Sequence, residues 1–137
     1  MVLFINASKD KQLDVFLINK GKVTDKVSFM SDFKVSEKLL GVIFQLLNKN
    51  KLKFKDLEGI ITISGPGPFT SIRISAAIVN ALAYALKIPV IGLKNKKLKL
   101  NDNQLVEIGW RKLERAKIGE YISPFYDQKP NITMAKK

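Results

Sequence analysis

Residues 59–93 constrain the fold more than any other part of the chain. They read GIITISGPGPFTSIRISAAIVNALAYALKIPVIGL. Gly59–Ser64 is apolar and β-branched, the pattern of a strand buried on both faces. Thr70–Leu86 has the length and composition of a helix, and Ile88–Leu93 is a second buried strand with Pro89 near its start. Two buried strands joined by one helix make a βαβ unit. Such a unit closes right-handed on a mostly parallel sheet with helices on its faces.

The remaining segments supply the rest of that sheet. Val2–Asn6 is a short apolar strand. Leu13–Asn19 and Lys22–Phe29 flank Asn19-Lys20-Gly21-Lys22, a hairpin signal with Gly in the turn. Val35–Asn48 repeats apolar residues at helical spacing, with Ser36 and Glu37 near its start. The expected order is β-β-β-α-β-α-β, an α/β domain with a mixed five-stranded sheet. At Lys94 the character changes. Lys94–Lys99 (KNKKLK) is a basic connector, and Asn103–Lys117 is expected to form one helix on Leu105, Ile108, Trp110, Leu113 and Ala116, with Gly119 as its stop. The tail is extended, with Pro124 and Pro130. The chain thus divides into a main segment, 1–93, and a smaller one, 94–137. No internal repeat is present.

Much chemistry is excluded. Among 137 residues there is no Cys and no His. Disulfides, thiol catalysis, a Ser-His-Asp triad and the commonest metal ligands are therefore absent. The apolar stretch Ile72–Leu86 is interrupted by Arg73, Ser75, Asn80 and Tyr84, so no membrane span is expected. The N-terminus has no basic region and no small-residue cleavage site, and the expected compartment is the cytoplasm. The net charge is +12. It is shared evenly: 13 basic and 7 acidic residues in 1–93, 11 and 5 in 94–137. Of the 24 basic residues only Arg73, Arg111 and Arg115 are Arg, whereas base readers and bidentate phosphate clamps favour Arg.

The Gly-rich turn raises the question of phosphate binding. A phosphate loop works through backbone N–H groups, usually helped by Lys or Ser/Thr. GPGPFTSIR contains no GK[ST], and Pro66 and Pro68 each lack an N–H. Gly67-Pro68 reads better as a helix start, with Gly67 as the cap and Pro68 as the first helical residue. The helix that follows is apolar on two sides, and Ala77, Ala81 and Ala85 form a ridge of small side chains. The apolar arc of Val35–Asn48 is also wide, about 200°. Each helix therefore has more apolar surface than one sheet can cover, which points to a partner.

The residues also carry a resemblance. GPGPFTSIRIS followed by NALAYALKIPVIGL resembles the GPGSFTGLRIG…GLALALxIPVxGV signature of the TsaB family, also called YeaZ. Ser36-Glu37-Lys38-Leu39-Leu40 resembles its HSExLLP helix opening, and Phe4-Ile5-Asn6-Ala7-Ser8 its first-strand IDTS. Ser123-Pro124-Phe125-Tyr126 with Lys129-Pro130-Asn131-Ile132-Thr133 is similar to its closing PxYxRxPxI. The resemblance implies an actin-like ATPase (ribonuclease H-like) half that has lost catalysis and needs no cofactor or metal. It implies a scaffold for the TsaD transferase in making threonylcarbamoyladenosine at position 37 of tRNA. TsaE, an ATPase, would join the assembly, tRNA would be met indirectly, and a homodimer is an alternative when the chain is alone. The partner face would comprise Leu39, Leu40, Ile43, Leu47, Ile74, Ala77, Ile78, Ala81, Leu82 and Ala85. Gly65, Pro66, Gly67, Phe69, Thr70 and Arg73 would form the signature turn.

The sequence departs from the family pattern where chemistry would reside. Asn6 stands for the first-strand Asp, Val35 for the His and Gly41 for the Pro of the helix motif. Pro68, Ser71 and Ser75 replace Ser, Gly and Gly of the signature, and most of the family's second lobe has no counterpart. Two other functions compete with the scaffold reading. One is a small nucleotide-binding protein using Asn6–Ser8 and Gly65–Thr70. The other is a basic RNA-binding module using Lys94–Lys99 and Lys136-Lys137.

Overall fold

The computed structural model describes residues 1–30, 35–95 and 99–124. The closing resemblance at 125–133, residues 96–98 of the Lys94–Lys99 connector and Lys136-Lys137 lie outside the described residues.

Five strands form one sheet in the order β3-β2-β1-β4-β5. They are β1 Val2–Asn6, β2 Leu13–Asn19, β3 Lys22–Phe29, β4 Gly59–Gly65 and β5 Val90–Lys94. The β2–β3 hairpin turns where Asn19-Lys20-Gly21-Lys22 predicts, and Gly21 takes the left-handed φ of 82°. β1 pairs antiparallel with β2 and parallel with β4, and β4 pairs parallel with β5. The centre of the sheet is therefore β1, which is buried along its whole length. The β3 border carries Lys22, Asp25 and Lys26, charges that discourage strand addition there.

Side chains alternate across the pleat and divide the core in two. Leu3, Ile5, Val15, Leu17 and Ile60 point to one face, where α1 (Val35–Lys49) and α2 (Phe69–Leu86) pack through Leu39, Ile43, Leu47, Val79 and Ala83. Val2, Phe4, Phe16, Ile61 and Ile63 point to the other, covered by α3 (Asp102–Leu113) through Leu105 and Val106. Helix α3 comes from the 94–137 segment, yet it completes the core of the 1–93 segment. Each such fully buried aliphatic side chain stabilises by about 1.5–3 kcal/mol.

Several boundaries differ from the sequence expectation; α1, β4 and β5 each run one residue further, to Lys49, Gly65 and Lys94. Helix α2 begins at Phe69, with Pro68 as the cap; the Pro68 carbonyl already accepts from Ile72 N–H at 3.0 Å. It ends in the left-handed Lys87, whose N–H returns to the Ala83 carbonyl, as does that of Ile88. β5 consequently starts at Val90 instead of Ile88. Helix α3 starts at Asp102, because Asn101 and Gln104 cap each other reciprocally. It stops at Leu113, so Ala116 and Lys117 are outside it and Gly119 is not its stop. The physical reason is that Leu113 is its last residue against the sheet; Glu114 and Arg115 have nothing apolar to cover.

After α3 the chain travels from that face of the sheet to the other. There the Asn80 carboxamide of α2 binds the backbone of Ile122 twice, accepting from its N–H at 3.0 Å and donating to its carbonyl at 2.9 Å. Ile122 rests on Gly92 of β5, where a Cβ would lie 3.1 Å from its Cγ2.

Candidate functional site

Two places merit attention: a polar cleft at the C-terminal end of β1, and the outer face of α1 and α2.

The cleft is built by Asn6 and by the loops it ties together. Asn6 Oδ1 accepts from the Ser8 N–H at 3.0 Å and from Ser8 Oγ at 2.5 Å, while its Nδ2 donates to Asp102 Oδ1 at 3.0 Å. Lys9 Nζ then donates to Asp14 Oδ2 at 2.5 Å and to Asp102 Oδ2 at 3.1 Å. Asp14 has no exposed side-chain surface and accepts two further bonds, from Gln12 and Ser28. Burial alone would raise its pKa, but the hydrogen bonds from Lys9, Ser28 and Gln12, with the lysine charge, hold it below its ordinary value. Burial likewise works to lower Lys9, and its bonds and attraction to the two carboxylates outweigh that and raise it. Asn95, Leu100 and Asn101 complete the walls of a cavity of about 250 Å³. Two carboxylates thus share one internal ammonium, which sits where a cation would be drawn. Neither carboxylate is left as a free base. Among the described residues no group of three or more His, Cys, Asp or Glu is placed to hold a metal ion.

The Gly-rich turn stands beside this cleft. Gly65 has a φ of 142°, Gly65-Pro66 is a cis peptide, and the Gly65 carbonyl accepts from Asn95 N–H. A Cβ on Gly67 would lie 2.7 Å from Ser8 Cα, so this glycine lets two backbones touch. Gly67 therefore packs directly on the Ser8 backbone. Beyond the turn, Phe69 and Thr70 are exposed, and the Arg73 guanidinium lies 5.1 Å from the centre of the Phe69 ring.

The outer face of the helices separates the expected partner residues into three groups. Ala77, Ala81 and Ala85 are exposed, as is Leu40. Ile74, Ile78 and Leu82 are half-buried against the first core. Leu39, Ile43 and Leu47 do not belong to an available face: they are fully buried among β-strand side chains, because they form the centre of the α1 arc that covers the sheet. The outward flank of α1 is instead Leu40 with Phe44, which is 55% exposed. On the other flank of α1, Lys49 pairs with Asp25 of β3. On α2 the largest exposed side chain is Tyr84, at 73%. Sequence reasoning did not single out Phe44 or Tyr84 as surface residues: Phe44 lies within the apolar arc of α1 and Tyr84 interrupts that of α2, and only the packing shows which part of an arc is left over. By length and composition α2 is apolar enough to cross a bilayer, but a third of it is buried within this chain.

Comparison with known proteins gives three findings. A family model described as "TsaD: tRNA N6-adenosine threonylcarbamoyltransferase" matches residues 33–107. The tRNA threonylcarbamoyladenosine biosynthesis protein TsaB of Buchnera aphidicola subsp. Acyrthosiphon pisum is 30% identical over 131 residues, covering 82% of this chain and 59% of that protein. Among solved structures, YeaZ from Pseudomonas aeruginosa superposes with a TM-score of 0.61 at 26% identity, over 68% of this chain and 43% of the other. The chain spans about half the length of these relatives. Thermus thermophilus RuvC, in complex with a Holliday junction, shares the fold alone, with a TM-score of 0.50 at 12% identity. The mixed five-stranded sheet is thus of the ribonuclease H-like, actin-like type.

Proposed function

We propose that this chain, which belongs to the TsaB (YeaZ) branch of the TsaD family, is a non-catalytic scaffold subunit that binds a TsaD-type transferase and supports threonylcarbamoylation of tRNA. The observation that carries the proposal is the outer face of α1 and α2. There the small-residue ridge Ala77–Ala81–Ala85 is exposed beside Leu40, Phe44 and Tyr84. A ridge without large side chains lets a partner helix approach near the short end of the usual 8–10 Å range. Flanking apolar side chains supply the area buried on docking.

The polar cleft supports the non-catalytic part of the reading. The first-strand position is an amide, Asn6, and both nearby carboxylates are engaged by Lys9. The turn that would meet a nucleotide phosphate is packed against Ser8 and lacks two N–H donors at its prolines. A TsaE-type ATPase is proposed to join the complex of the two subunits. Self-pairing through the same helices is the proposed state of the chain without its transferase.

The test is Ala81→Arg. Ala81 is exposed, so the isolated chain is expected to stay folded, within about 0.5 kcal/mol. An unpaired guanidinium in a desolvated helix seam costs several kcal/mol, which weakens a micromolar complex more than about a hundredfold. The expected outcome is a folded variant, by circular dichroism, that no longer co-purifies with the transferase or supports modification in a reconstituted assay. A folded variant that binds the transferase normally would sink the proposal.

A further inference from the structure

The fold gathers lysines at one end of the sheet, the end where the parallel strands begin. Pairing of Val2 with both Ile18 and Gly59 sets the β2–β3 turn beside the entrance to β4. That turn holds Lys20 and Lys22, and the link from α1 into β4 holds Lys51, Lys53 and Lys55. Lys87 ends α2 just before β5, which pairs with β4 from Ile60 and Val90 onward. Helix α3 also finishes here, since Leu113 covers Gly59, and it adds Lys112 and Arg115.

The acids at this end are mostly spent. Asp25 receives Asn50 and Lys49, Glu58 receives the N-terminal ammonium, and Glu107 receives Arg111. None of the eight cations named above has an ion-pair partner among the described residues. Among the described residues of this pole, Asp56 and Glu114 are the acids that stand against them, so it is strongly positive. The backbone adds a second observation. Four lysines have a left-handed φ, which Gly or Asn adopts at lower cost, and three of them are at this pole: Lys20, Lys51 and Lys87, at 52°, 58° and 57°; the fourth, Lys11 at 57°, lies at the other end. Lysine at three such turn tips is not what local conformation selects.

We propose that this pole binds the phosphate backbone of tRNA, a direct contact that rests on the tRNA-modification reading above. The pole lies at the end of the sheet, whereas the apolar face of α1 and α2 lies on its side. Both can therefore be occupied together. The contact is to phosphates, and lysines as point charges carry no base specificity.

The probe is a labelled, unmodified tRNA transcript titrated with the full chain between about 50 and 200 mM salt. The test variant combines Lys20→Asn, Lys51→Asn and Lys87→Asn, which removes charge where Asn eases the turn, so Tm should hold or rise. The control removes the same charge at the other end by Lys11→Asn, Lys94→Asn and Lys99→Asn. The pole variant should lose at least about tenfold in affinity, and its salt slope should fall by about 2–3, because each phosphate contact contributes roughly 0.7–0.9 to that slope. The control should bind nearly as the parent does. Equal losses in both variants would show general charge only and overturn the proposal. So would a parent that fails to bind the transcript, or one that binds phosphatidylserine vesicles in its place. Capture by the transferase is measured on the same variants and should be unchanged. Its loss in the parent would count against the scaffold reading, which the tRNA titration alone does not touch.

Discussion

Replacing Lys9 by Met removes the ammonium that joins Asp14 to Asp102 while keeping the length of the side chain. Asp14 is left buried with only the neutral donors Gln12 and Ser28. Removing one partner of a fully buried pair costs about 3–5 kcal/mol. Here the figure must be discounted, since the Lys9 side chain is 37% exposed and water screens it, and Asp14 keeps two of its hydrogen bonds. About 2 kcal/mol is the expected loss at neutral pH. For a domain of this size that lowers Tm by roughly 6 °C, read by a thermal melt followed by circular dichroism. Two further readings isolate the cause. Without the ammonium, the folded Asp14 is easier to protonate, so the gap between variant and parent should narrow as pH falls toward 4. Adding Asp14→Asn should recover part of the loss, because the amide needs no counter-charge. A Tm drop under 1 °C, or a double variant less stable than Lys9→Met alone, would refute the account of the cleft.

The remaining predictions concern the turn, the pH limits and the tail. Gly67→Ala drives a methyl to 2.7 Å from Ser8 Cα, a backbone atom that cannot swing away, and should cost about 1–3 kcal/mol in urea unfolding. Asp14 has a lowered folded pKa, so its contribution is present above the ordinary 3.8 and is lost as pH falls through the lower folded value. Lys9 has a raised folded pKa, so its contribution is present below the ordinary 10.5 and is lost as pH climbs through the higher folded value. A stability profile measured from acid to alkaline pH should therefore be flat with respect to this pair between those limits. Asn80→Ala should free Ile122, raising hydrogen exchange at its amide at least tenfold while leaving the β1 amides protected.

What the sequence reveals follows how far apart the interacting residues are. The β2–β3 hairpin and the β4-α2-β5 unit are encoded by neighbours: Asn-Lys-Gly-Lys turns on itself, and β-branched runs flank a Gly/Pro turn. The start of α3 is also locally encoded, by Asn101 and Gln104, a capping pair that apolar spacing alone does not reveal. The polar cleft could not be read this way. Asn6 and Asp102 are 96 positions apart, and only the crossing of α3 over the sheet unites them. Asp14 could have raised suspicion as a charge within the apolar run LDVFLIN. For α1, a periodicity of 3.6 defines an arc but not the part of it that the sheet consumes. That is why Leu39, Ile43 and Leu47, expected on a partner face, lie in the core, while Phe44 of the same arc lies on the surface.

The Asn80 clamp on Ile122 ties the segment after α3 to helix α2. A side-chain amide offers one donor and one acceptor, as a peptide group of a neighbouring strand does, and here it satisfies a passing piece of backbone without adding a sixth strand. With Ile122 seated over Gly92, the segment that follows α3 is held on the face of the sheet that carries α2. The layer that α3 covers and the layer of α2 are thereby fastened by one short stretch of chain.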